Sequence, residues 1–150
     1  MMGVFTYNIY LEEVKIPKID MPPGEIFDRL SIIRIKSKLI PDVTERDKAI
    51  IFLDTFSKEV ANAMACYGSV VESKQLAELL DRLDQHNIDS WNLRNIMERV
   101  TVDDDAEAYR RVALELHEIN LLRREIKNKI NKFLGYDFVE QTSLHAPPTP

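Results

Sequence analysis

A single cysteine, Cys66, excludes an intramolecular disulfide and any cysteine-rich zinc site, and it suits a reducing compartment. Glycine is scarce too, with four in the chain; no glycine-rich phosphate loop or dinucleotide fingerprint appears, and nothing in the sequence calls for a cofactor. No apolar run approaches the ~20 residues that span a bilayer, and the first residues lack the continuous apolar core of a secretory signal. The expectation is a cytoplasmic protein with no membrane association. Basic residues are outnumbered, 20 Lys and Arg against 25 Asp and Glu, for a formal charge of -5. This balance argues against nucleic acid as a partner, because phosphate-backbone affinity needs clustered cations in excess. A local basic face toward a small anion stays open. His86, His117 and His145 stand in no metal-ligand spacing. Cys66, beside Tyr67 and Gly68, reads as a packed small residue. An enzyme is left without a recognisable catalytic constellation.

What is present is helical patterning. The 150 residues suffice for one domain that buries roughly two-thirds of its unfolded surface without metal or disulfide. Residues 4–16 are β-branched and aromatic and read as an extended segment, so 1–23 form an arm that must pair with something. A helical domain follows over 24–138 and a polar, proline-rich tail over 139–150. The first helix spans Glu25 to Ile40 and is ended by Pro41. A Thr44/Asp47 capping pair opens the second, which Gly68 stops. The third runs from near Ser73 to about Val100. The fourth follows the acidic turn at Asp103–Asp105 and ends at Gly135. The expected architecture is an all-α, four-helix antiparallel bundle with two long C-terminal helices, oligomeric through the arm or those helices.

The two long helices carry seams spaced three and four residues apart: Leu76, Leu79, Leu83, His86, Ser90, Leu93, Met97, Val100, and Val112, Leu116, Ile119, Arg123, Ile126, Ile130, Phe133. His86, Ser90 and Arg123 occupy core positions. A guanidinium cannot be desolvated alone, so Arg123 must find an acid, a carbonyl, a ligand or water. A hairpin of these helices brings His86, Asn87 and Ser90 toward Asn120, Arg123 and Arg124. Two readings compete. In one, Arg123, Arg124 and Lys127 grip an oxyanion while Asn87, Asn120 and His86 hydrogen-bond the rest of the ligand. In the other, Arg123 pairs with Glu118, Asp84 or Asp89 and the polar residues set helix register. Glu25 and Asp28 suit the dipole of the first helical turn, and they are also the candidates for a divalent cation. Trp91 is a packing residue or a stacking platform.

Three segments, Pro23–Lys36, Leu83–Trp91 and Glu118–Asn131, resemble an uncharacterised helical family found in bacteria, often near sugar-transfer and lipopolysaccharide genes. The resemblance covers most of residues 22–144. It implies a helical fold and singles out Glu25, Asp28, Arg29, Lys36, Asn87, Trp91, Asn120, Arg123, Lys127 and Asn131; no activity comes with it. This chain departs from the family in the middle segment, where Leu93, Arg94 and Asn95 replace an acidic pair after the Trp. The expected function is binding or sequestration of a small anionic metabolite of nucleotide or nucleotide-sugar type by a non-enzymatic homo-oligomer. The alternatives are an enzyme or accessory subunit in glycan assembly, and a structural assembly protein.

Overall fold

A computed structural model describes residues 20–137, and over these the chain is all-α. The extended segment expected at 4–16 and the tail from 139 lie outside the described residues. Four helices follow one another: α1 (Pro23–Leu39), α2 (Val43–Met64), α3 (Lys74–Arg99) and α4 (Ala106–Phe133).

Local chemistry sets most of their ends. Pro23 starts α1 where its missing N–H is harmless, and Ile40, held extended ahead of Pro41, stops it. Asp42 caps α2 by accepting from the Glu45 N–H at 2.9 Å. The expected Thr44/Asp47 pair is therefore not the cap: Asp42 captures the free amides first and Thr44 falls inside the first turn. Nor does α2 run to Gly68. It ends at Met64 and gives way to a 3₁₀ stretch, Ala65–Glu72, that breaks at Gly68, where φ is +61°. Ser73 and Asp105 cap α3 and α4, accepting from Leu76 at 3.1 Å and Ala108 at 2.9 Å. Gly135, at φ +73°, closes α4, and the following Tyr136 amide reaches back to the Asn131 carbonyl at 2.8 Å. Cys66 is exposed, its thiol turned to the Ala63 carbonyl, and is not the packed residue expected from sequence.

The apolar core joins Phe27 and Leu30 of α1, Val60 and Met64 of α2, Leu76, Leu79 and Leu83 of α3, and Ile126 and Ile130 of α4. It occupies the first half of α3 and the second half of α4. Burial of each such side chain is worth about 1.5–3 kcal/mol. Past Leu83 the buried line of α3 passes through Asn87, 4% exposed, and Ser90, while His86 is only half-buried. A straight helix of 3.6 residues per turn drifts off a 3.5-residue seam, and here the drift exchanges His86 for its neighbour. The same drift brings Lys127 and Asn131 into the buried face of α4 beside Ile126 and Ile130.

α1 lies against both long helices, and its N-terminal end touches α4 without an intervening side chain. A Cβ on Gly24 would stand 2.5 Å from the Lys127 carbonyl oxygen. The Gly24 amide, one of the unpaired donors of the first turn, gives its hydrogen to Asn131 Oδ1 at 2.7 Å. Backbone cannot retreat as a flexible side chain can. Gly24→Ala is expected to lower unfolding free energy by about 1–3 kcal/mol, read from urea denaturation; an unchanged midpoint would show that α1 can shift freely on α4.

Candidate functional site

Arg123, on the buried side of α4, finds its acid on α1. Its Nη2 donates to both carboxylate oxygens of Asp28, at 3.0 and 2.9 Å, and its Nη1 donates to Asn120 Oδ1 at 3.0 Å. Asp28 also accepts from Asn87 Nδ2 on α3 at 2.9 Å, and the same amide nitrogen donates to Ser31 Oγ at 3.0 Å. Three helices therefore meet on one carboxylate that is 4% exposed. None of the expected partners serves: Asp84 faces Arg34 at 3.7 Å, Asp89 accepts from Gln85, and Glu118 is exposed.

The pairing repeats along the α1–α4 contact. One turn from Arg123, Lys127 Nζ meets Glu25 Oε2 at 3.0 Å; one turn further, Asn131 holds the Gly24 amide. Positions 123, 127 and 131 of α4 thus answer 28, 25 and 24 of α1, so the two helices run in opposite directions here. Glu25 also lies 3.7 Å from the exposed Arg29. Glu25 and Asp28 are thereby matched to cations of the fold, which removes the reason to read them as metal ligands. Among the described residues no three His, Cys, Asp or Glu side chains converge on a metal position.

Beside the Arg123–Asp28 pair a cleft of about 310 Å³ opens between α1, α3 and α4. From α1 come Ile32, Ile35 and Lys36, and from α4 Arg123. α3 supplies one continuous stripe at helical spacing: Asn87, Ser90, Trp91, Arg94, Asn95 and Glu98. The cleft thus gathers Lys36, Asn87, Trp91 and Arg123 of the residues expected from sequence. Asn120 stands behind, orienting Arg123. Lys127, Asn131 and Arg29 belong to the helix contact, and His86 and Arg124 do not line the cleft. The Nδ1 of His86 and the Nε of Arg123 are buried without a hydrogen-bond partner among the described residues.

Sequence reasoning missed Arg94, Asn95 and Glu98. The available signal was their spacing of three, four and seven residues from Trp91, which puts all of them on one side of α3. A larger groove of about 470 Å³ follows Glu125, Lys129, Lys132 and Tyr136 on the outer side of α4, and none of its lining residues is buried. Partial burial raises the Tyr67 phenol above its ordinary range, with Cys66 and Tyr136 adding to the effect.

The ion pair makes a sharp stability test. Asp28→Ala strands a guanidinium that is 14% exposed, and it is expected to lower unfolding free energy by about 3–5 kcal/mol. The double change Asp28→Leu with Arg123→Met removes both charges and is expected to recover most of that loss in the same denaturation assay. Equal losses in the single and double variants would show that the charges do not depend on each other.

No protein-family model, curated protein or solved structure matches this chain.

Proposed function

We propose that this protein binds a small anionic ligand, without transforming it, in the cleft between α1, α3 and α4. The observation that carries this reading is the division of positive charge. Arg123 and Lys127 are matched by Asp28 and Glu25 inside the helix contact. Lys36 and Arg94 line the cleft and take part in no ion pair among the described residues. Two unmatched cations at a concave site, above the buried polar side chains of Asn87 and Ser90, supply what an anion needs: charge at the mouth and directional hydrogen bonds within. On this reading the polar belt has two parts. The ladder from Gly24 to Asp28 sets the register of α1 on α4, and the stripe from Asn87 to Glu98 holds the ligand. The reading favours binding over catalysis because His86, the nearest candidate base in sequence, does not line the cleft beside Ser90.

Trp91 is the sole tryptophan, so intrinsic fluorescence reports directly on the cleft. Titration with phosphate, nucleotides, sugar phosphates and dicarboxylates at millimolar concentration is expected to shift or quench the emission for at least one of them. A ligand present at 100 times its dissociation constant should add about 2.7 kcal/mol to stability. Lys36→Ala with Arg94→Ala, both on partly or fully exposed side chains, should leave the fold intact and weaken binding about tenfold or more, since each charge-assisted contact is worth ~1.5–3 kcal/mol. Silence from every compound in both fluorescence and thermal unfolding would sink the reading.

A further inference from the structure

The polarity of the cleft changes along its length, and from this we infer the class of ligand: a heteroaromatic ring carrying one anionic group, of the size and chemistry of a nucleoside monophosphate, bound ring first. The inference rests on the cleft being an anion site and specifies what else the anion is attached to.

The inner end carries no net charge. Arg123 reaches it, but its charge is already matched by the two oxygens of Asp28. A phosphate seated there would confront that buried carboxylate. The neutral groups at this end are Asn87 and Ser90, 4% and 5% exposed. Asn87 has a forced orientation, since Asp28 can only accept and so must face the amide nitrogen. The same nitrogen donates to Ser31, which leaves the Asn87 carbonyl oxygen as an acceptor. The Ser90 hydroxyl beside it can donate or accept, and it has no partner among the described residues. An acceptor next to a hydroxyl complements a ring edge that presents a donor and an acceptor together, as the amide and amidine edges of nucleobases do.

One turn beyond Asn87 the α3 stripe becomes apolar at Trp91, and Ile32 and Ile35 of α1 line the same cleft. A ring stacked on the indole would lie between the two helices. The outer end is charged: Arg94 lies about 10 Å beyond Asn87 along the helix axis, at 1.5 Å per residue, and Lys36 lines the cleft from α1. The order from floor to mouth is therefore hydrogen-bonding edge, ring, anion.

Two features limit the size. The volume, about 310 Å³, stands at the lower end of small-molecule sites, roughly 300–1,000 Å³, which suits a mononucleotide and disfavours a nucleotide-sugar. Glu98, one turn past Arg94, lines the far end of the cleft and puts a carboxylate where a longer phosphate chain would extend.

Calorimetric titration of the full chain with purine and pyrimidine nucleoside 5′-monophosphates, the matching triphosphates, ribose 5-phosphate and inorganic phosphate tests this. At least one monophosphate is expected to bind about 10- to 100-fold more tightly than ribose 5-phosphate, the range that stacking of a base supplies, and more tightly than its triphosphate. Ser90→Ala should weaken the monophosphate while leaving ribose 5-phosphate unchanged. Lys36→Ala with Arg94→Ala should weaken both. Ribose 5-phosphate or phosphate binding as tightly as every monophosphate would overturn the ring inference while keeping the anion site. Heat from none of these probes, together with no Trp91 response to any other anion, would remove the site itself.

Discussion

The structure depends on one buried ion pair. Asp28 receives Arg123 from α4 and Asn87 from α3, so a single carboxylate ties α1 to both long helices. α1 needs such an anchor, because its buried positions include Gly24, Asp28, Ser31 and Ser37 alongside Phe27, Leu30 and Ile35. A face so mixed gains little from apolar contact alone. The desolvation of two charges consumes much of their attraction, so the pair contributes more to uniqueness than to stability. It admits one arrangement of α1 on α3 and α4: a shift by one residue would leave a guanidinium and a carboxylate buried apart.

That anchor also shapes the cleft beside it. By matching Arg123, Asp28 removes positive charge from the inner end and leaves Lys36 and Arg94 to define the outer one. The α3 stripe crosses from one regime to the other within three turns. Asn87 is a structural hydrogen-bond donor whose carbonyl remains spare, Trp91 is half-covered, and Arg94 is exposed. A single helix face thus packs against α1 at one end and lines the open mouth of the cleft at the other. Arg123, whose Nε has no hydrogen-bond partner among the described residues, also lines this cleft.

Much of the fold was legible because its signals are local. Proline at 41, serine at 73, aspartate at 105 and glycine at 135 each act on the adjacent turn, and the boundaries of the long helices follow them. The three-and-four spacing identifies both long helices and puts Arg123 on the buried seam of α4, whereas the burial of Lys127 and Asn131 is not legible from it. What escaped was relational. Periodicity reports which face of a helix is buried without naming the helix opposite, so the partner of Arg123 was sought on α3 and α4 and lay on α1. Asp28 looked sufficiently explained by the dipole of its own helix. His86 was preferred to Asn87 because one residue of drift changes the occupant of a seam. Arg94 stood out as a departure from a familiar pattern, and only the three-dimensional cleft shows it as a mouth residue.

Gly24 has a further consequence. Its missing side chain lets the backbone of α1 settle directly on α4, and a helix transmits such a placement along its whole length. Lys36 stands twelve residues further on, about 18 Å at 1.5 Å per residue. The width of the cleft is therefore gauged from the opposite end of α1: like the jaw of a caliper, the helix is zeroed at a glycine and measures at a lysine. A position with no side chain of its own sets the opening of a cleft about 18 Å away along the helix.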